Sequence, residues 1–329
     1  MAVRKPDWKQ VARRDIKADF AATVLQELKV PGQLLRGGAI APATAQPNYE
    51  GKQDPKLGEI LQRTKNLSQS QVDAALYYQR KKGVRFGEAV VRLGLAGADD
   101  VMWALSQQFN YPYAQIANAN LNDELVLARQ PFSDTVEAFR DVRAQLLLNG
   151  FGSAERRSAL AIVSADRGDG KTFIGANLAV AFGQLPGRTL IIDADMRSPR
   201  LHEIFNCPGT SGLASVLRGS TRASVIRPVN DLPNLYILPV GAAPPNPAEL
   251  FQTRSFALLV HELVSKFDYV LVDTPAASQG SDARVVASHC GSAMVVGRKD
   301  KTRLPGLKQL VTQLNTNHVK IAGMVMNEY

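Results

Sequence analysis

The chain has 329 residues, 45% of them hydrophobic, with 39 Lys and Arg against 30 Asp and Glu for a formal charge of +9. That length and apolar share predict more than one domain with a real core and exclude wholesale disorder. Two cysteines, Cys207 and Cys290, far apart and without metal-ligand spacing, exclude a disulfide scaffold and fit a reducing, cytoplasmic compartment.

Residues 1–30 read as a basic arm, with the positive excess concentrated between Arg4 and Lys17. At ~1 kcal/mol per basic residue near an anionic leaflet, the arm predicts weak, reversible membrane contact and no firm anchor. It lacks the apolar core of a signal peptide, and no run of about 18 apolar residues predicts a spanning helix. No aromatic-interleaved basic motif supports nucleic-acid binding, so none is expected. Residues 31–55, rich in Gly, Pro, Ala and Gln, predict a flexible linker.

Residues 56–120 hold an internal repeat. Lys56-Leu57-Gly58-Glu59 with Val72, Ala75, Leu76 and Gln79 recurs 29 residues later as Arg85-Phe86-Gly87-Glu88 with Val101, Ala104, Leu105 and Gln108. Each copy predicts a short helix opening at the Leu/Phe-Gly-Glu and a second ending in Gln.

From residue 131 to residue 329 the pattern changes. Residues 133–148 have helical spacing, with Val136, Phe139, Val142 and Leu146 as an apolar stripe and Glu137, Arg140 and Arg143 as a charged strip. A solvated face is the ordinary reading of such a strip. Residues 159–164 form an apolar run suited to a buried strand. It is followed by Ala165-Asp166-Arg167-Gly168-Asp169-Gly170-Lys171-Thr172 and a predicted helix over 172–182. Gly168 and Gly170 let the backbone curl its N–H groups inward, and the helix N-terminus adds partial positive charge, which together make a phosphate cradle. Lys171 would reach the β- and γ-phosphates of ATP, and the Thr172 hydroxyl would ligate Mg²⁺.

Two further apolar runs end in acid: Leu190-Ile191-Ile192-Asp193-Ala194-Asp195-Met196-Arg197 and Val270-Leu271-Val272-Asp273-Thr274-Pro275. Ligands collect at the carboxyl ends of parallel strands, so Asp193, Asp195 and Asp273 are expected to converge on the metal. A lone aspartate in such a place is also a common cap or turn residue. Arg298, Lys299, Lys301, Arg303 and Lys308 make a second basic cluster that would flank the ATP site. Residues 319–326 predict a last strand, followed by Asn327, Glu328 and Tyr329. The expected architecture is α/β: a P-loop NTPase-like, mostly parallel sheet flanked by helices, preceded by a small, mainly helical tandem-repeat domain.

In this order and spacing, the motifs resemble the bacterial tyrosine kinases (BY-kinases) of the EpsG-like exopolysaccharide chain-length determinant branch. Asp193, Asp195 and Arg197 look like the family's extra Walker A′ motif, and Glu137, Arg140 and Arg143 like its ring-forming Glu-x-x-Arg-x-x-Arg helix. Arg200, His202, Gly212-Leu213 and Pro244-Pro245-Asn246-Pro247-Ala248-Glu249-Leu250 add further matches. The resemblance implies a tyrosine autokinase with Lys171, Asp193 and Asp195 catalytic. It implies ATP held by Gly168, Asp169, Gly170, Lys171, Thr172 and Asn327, and Mg²⁺ by Thr172, Asp195 and Asp273. It further implies a homo-oligomeric ring through Glu137, Arg140 and Arg143, and a membrane chain-length determinant partner at the inner face of the cell membrane. The family's usual tail is a tyrosine cluster; here Tyr329 alone stands for it, on three residues that span at most ~10 Å.

Partition and cell-division ATPases with a deviant phosphate loop are the nearest alternative, a nucleotide switch without kinase activity. They carry a signature lysine where this chain has Asp166, whose charge is wrong for contacting a neighbour's phosphates.

The repeat resembles the N-terminal domains of type II secretion and pilus-assembly ATPases, which in some members bind cyclic di-GMP. Arg85 and Gly87 match the ligand positions of the second copy; Lys56 replaces the arginine in the first, and Arg and Lys differ where a planar fork is needed. A helical docking module for another protein is the other reading of the same residues.

Overall fold

The computed structural model describes residues 57–109, 122–129, 133–153, 157–220, 225–230 and 232–328. The basic arm, the linker, Lys56 and Tyr329 lie outside the described residues.

The repeat forms four helices: α1 (Leu57–Lys65), α2 (Gln69–Lys82), α3 (Phe86–Arg92) and α4 (Ala98–Phe109). Helix α2 starts where Ser68 and Gln71 exchange side-chain and backbone bonds in a capping box, and it ends at Gly83 in the left-handed region. The matched pairs Val72/Val101 and Ala75/Ala104 are all buried in one small core with Leu61, Ala89 and Val90. The 29-residue echo is therefore largely a packing pattern: each helix pair contributes the same wall to a shared interior.

After α5 (Val126–Arg129) and α6 (Asp134–Leu148) comes a seven-stranded sheet of order β3-β4-β2-β5-β1-β6-β7. Its strands are β1 (Ala159–Ser164), β2 (Thr189–Asp193), β3 (Arg227–Val229), β4 (Leu232–Leu238), β5 (Tyr269–Asp273), β6 (Gly291–Arg298) and β7 (Lys320–Asn327). All neighbours pair in parallel except β3 with β4. Strands β1 and β2 are buried along their whole length, as continuous apolar runs predict for strands covered on both faces.

One face is covered by α6, α7 (Lys171–Gly183) and α8 (Leu201–Ile204), whose Phe139, Phe182 and Leu201 join one core. The other face carries α9 (Leu213–Leu217), α10 (Pro247–Phe251), α11 (Arg254–Lys266), α12 (Asp282–Cys290) and α13 (Leu304–Thr316), whose Leu213, Phe251, Phe256, Val286 and Leu310 join a second. Helix α7 lies so close to the sheet that a Cβ on Gly175 would stand 2.9 Å from Ile162 Cδ1. The central strands β2, β5 and β1 thus end side by side, and their C-terminal edge is where the sequence motifs meet.

The last strand differs from its expected bounds. It is shifted one residue later, to Lys320–Asn327, because Asn327 pairs with Arg298 and its carbonyl accepts from the Lys299 amide. Among the described residues no helix is long and apolar enough to cross a membrane.

Candidate active site

The turn from β1 into α7 has the shape its glycines allow. Gly168 and Gly170 sit at φ 84° and 94°, values at which a side chain would be strained. A Cβ on Gly170 would also collide with the Asn327 amide. Asp169 is fully buried and ties the loop shut: its carboxylate accepts from the Asp166 amide (3.0 Å) and the Thr302 hydroxyl (2.8 Å). Helix α7 begins directly after the loop with no side-chain cap, so its first N–H groups are left for a ligand.

Lys171 is buried, and its ammonium donates to Ser164 Oγ at 3.0 Å, its one hydrogen bond among the described residues. An ammonium has three donors, and a buried one with a single neutral partner is suited to an anion. The Thr172 hydroxyl donates to Asp273 Oδ2 at 2.7 Å, while Asp273 Oδ1 is buried with no partner. An orphaned carboxylate oxygen beside a threonine hydroxyl fits a hydrated Mg²⁺, which binds one or two carboxylates and completes its shell with water and phosphate.

Asp193 and Asp195 are engaged differently. Asp193 accepts from the amides of Asp195 (3.1 Å) and Leu201 (3.1 Å), and Asp195 from those of Arg197 (3.2 Å) and Ser198 (2.9 Å). Their carboxylates shape the turn after β2, and among the described residues they do not form a three-ligand metal cage with Asp273. Burial pushes the Asp193 carboxyl well above the usual carboxylate range, and the charges of Asp273 and Asp195 push it further. Burial likewise raises Asp273, to about 7, against the lowering effect of Lys171's charge and the Thr172 hydrogen bond. In both, desolvation favours the protonated form over the charged one.

Two members of the second basic cluster, Arg298 and Lys301, close over the loop. Arg298 donates to the Gly168 carbonyl (3.2 Å), and a Cβ on Gly168 would lie 2.9 Å from the Lys301 ammonium. Asn327 donates to the Asp169 carbonyl at 3.1 Å, which brings the last strand against the loop. Beside it, Phe139, Phe173, Ile174, Val325 and Met326 line a mostly apolar cavity of about 340 Å³.

Two contributors were invisible in sequence. Asp282, buried at the start of α12, receives Arg197 through Nε (2.8 Å) and Nη2 (3.2 Å) and anchors the turn after β2. Thr302 sits inside the basic cluster, where charge drew the eye. Arg200 pairs with Glu124, whose own carbonyl accepts from buried Asn177, joining the β2 turn to α5.

The remaining predicted residues lie elsewhere. Arg143 turns inward and donates to the Ala181 carbonyl of α7, so it does not share a solvated strip with Glu137 and Arg140. Glu137 pairs with Arg140 and, across 52 residues, with Arg85 at 3.1 Å. Gly87 is buried within α3. Both cysteines carry free thiols that burial pushes up, so neither is a ready nucleophile.

A family model described as cellulose biosynthesis protein BcsQ matches residues 158–319. The chain is 34% identical over 200 residues to the putative tyrosine-protein kinase CapB of Staphylococcus aureus, covering 60% of this chain and 86% of that protein. It is 29% identical over 204 residues to tyrosine-protein kinase wzc of Salmonella typhi, covering 62% of this chain and 28% of that much longer protein. Among solved structures, the kinase domain of Escherichia coli tyrosine kinase ETK is similar at a TM-score of 0.60 and 28% identity, over 64% of this chain and 81% of that one.

Proposed function

The chain belongs to the bacterial tyrosine-protein kinase family, and from that premise we propose that it transfers the γ-phosphoryl group of ATP to tyrosine. The observation that carries the reading is a buried, singly bonded Lys171 at the phosphate loop whose charge acts on Asp273, a buried carboxylate with one unpartnered oxygen. ATP would lie with its phosphates on the amides of Gly168, Asp169, Gly170, Lys171 and Thr172 and its base towards Asn327. Mg²⁺, held by Thr172 and Asp273 with Asp195 near its waters, would neutralise charge on the β- and γ-phosphate oxygens.

Phosphoryl transfer is mostly positioning and charge stabilisation, so the loop amides and Lys171 carry most of the rate. The new bond forms between the tyrosine oxygen and the γ-phosphorus, the bond to ADP breaks, and the phenol proton goes to a base. A phenol near its unperturbed pKa of ~10 needs that base, and the family resemblance gives the role to Asp193, whose proton affinity is raised by burial and like charge.

The biological setting comes from the resemblance: regulation of exopolysaccharide chain length or export together with a membrane chain-length determinant, in a homo-oligomeric ring at the inner face of the membrane. Glu137 and Arg140 are the proposed ring contacts, Arg143 being turned inward onto α7, and Tyr329 is the proposed acceptor on a neighbouring subunit. Cyclic di-GMP is left out of the reading, because Gly87 is buried and Arg85 is paired with Glu137. The test is phosphosite mass spectrometry after incubation with Mg-ATP: phosphotyrosine lost in Lys171→Met and at Tyr329→Phe supports the reading, and modification only of serine or threonine ends it.

A further inference from the structure

A second cavity, of about 400 Å³, lies behind the phosphate loop on the α12–α13 face of the sheet, opposite α7. Asp166 and Ala165, the first residues of the loop, form one wall, and Ser278 and Ser281 with the start of α12 form another. Arg284, Arg303 and Gln309 add polar groups to the lining. The loop is bound to this wall directly, since the Ser278 amide donates to the Ala165 carbonyl at 3.0 Å.

The cavity is polar and its charge is unbalanced. The Arg284 side chain makes no hydrogen bond or ion pair among the described residues, and Arg303 is 82% exposed and pairs with Asp166 at 3.7 Å. Two guanidiniums against one carboxylate leave a net positive site with serine hydroxyls and a glutamine amide beside it. The structure spends little of this cavity on its own stability: Ala165 and Leu310 are the buried apolar residues that line it. The nucleotide base side of the loop is marked by Asn327 at the β7 end, so this cavity stands at the loop's other end, where the chain leaves β1.

We propose that this cavity is the docking site of the acceptor peptide, and that it selects tyrosines flanked by acidic side chains. The proposal rests on the tyrosine-kinase reading above. A carboxylate two or three residues from the tyrosine would meet Arg284 and Arg303, and planar guanidiniums suit carboxylates through paired N–H donors. The tyrosine itself would pass Asp166 into the phosphate loop. Arg284 and Arg303 are specificity-determining positions in this scheme and touch no reacting atom.

The experiment uses the full chain with Mg-ATP and three synthetic peptides in which one tyrosine is flanked by glutamates, glutamines or lysines. The glutamate peptide should show the lowest KM. Arg284→Glu and Arg303→Gln should each raise that KM by about tenfold, the scale of one partly desolvated charge pair, and leave the glutamine peptide's KM and the KM for ATP within about twofold. Arg284→Glu should also turn the preference towards the lysine peptide, which a merely structural role for Arg284 would not do. Equal KM values for the three peptides, or variants that move the KM for ATP instead, would overturn the assignment. ATP turnover with no phosphotyrosine on any peptide or on the chain would instead sink the kinase reading beneath it.

Discussion

Lys171 and Asp282 show two ways a single residue supports the site. Lys171 is the proposed phosphate contact, so Lys171→Met should lower phosphoryl transfer by ~10²-fold or more, the scale of one strong charge-stabilising donor, as read by initial rates of phosphotyrosine formation. Asp282 acts through Arg197. Replacing it by Asn leaves a guanidinium that is 34% exposed without its carboxylate, so Asp282→Asn should cost about 1–3 kcal/mol in urea unfolding and slow transfer by loosening the turn that carries Asp193 and Asp195. The contrast explains what could be read beforehand. The chemistry of Lys171 and Thr172 is written in eight consecutive residues, whereas Asp282 meets Arg197 across 85 positions and looks in sequence like an ordinary acidic helix start. Arg143 misled for the same reason, because its spacing marks a helix face and gives no sign that the Ala181 carbonyl lies within reach.

Elements are placed by close backbone approaches as much as by apolar faces. Gly212 opens α9 where its amide neighbours bond the end of β4: Leu213 and Ala214 donate to the carbonyls of Pro239 (2.8 Å) and Val240 (2.9 Å). A Cβ on Gly212 would run into the Pro239 carbonyl, which is backbone and cannot rotate aside. Gly212→Ala should therefore destabilise the chain by roughly 1–3 kcal/mol, visible as a lower denaturant midpoint with unchanged slope. Strands β1, β2 and β5 were legible because burial on both faces demands unbroken apolar runs. The end of β7 was not, since Asn327 is a polar residue whose place in the ladder is fixed by Arg298 and by the loop carbonyl it binds. Asn327→Ala removes that tie and should raise the KM for ATP with a smaller effect on kcat, measured by steady-state kinetics.

For the whole molecule, the repeat unit and the nucleotide sheet meet through Arg85 and Glu137. Partial burial works against the Glu137 charge, but the Arg85 hydrogen bond and the Arg140 charge hold its carboxyl below the ordinary range. A lowered carboxylate stabilises the folded chain above its unfolded value, near ~4.3, and the contribution is lost as pH falls through the lower folded value. Both side chains are well exposed, so screening keeps the pair below about 1 kcal/mol. Arg85→Ala should lower the thermal midpoint only slightly at neutral pH, and the difference from wild type should shrink as pH falls below the ordinary carboxylate range. The fold of the repeat followed from its 29-residue echo, but its contact with Glu137 could not, because a charged pair 52 residues apart leaves no periodic trace.

The most direct test of tyrosine phosphorylation is a comparison of the wild-type chain and Lys171→Met, each incubated with Mg-ATP and mapped by phosphosite mass spectrometry. Phosphotyrosine in the wild type that disappears with Lys171 is the predicted result. ATP consumed by the wild type with no tyrosine modified would contradict it and leave a nucleotide switch on a kinase fold.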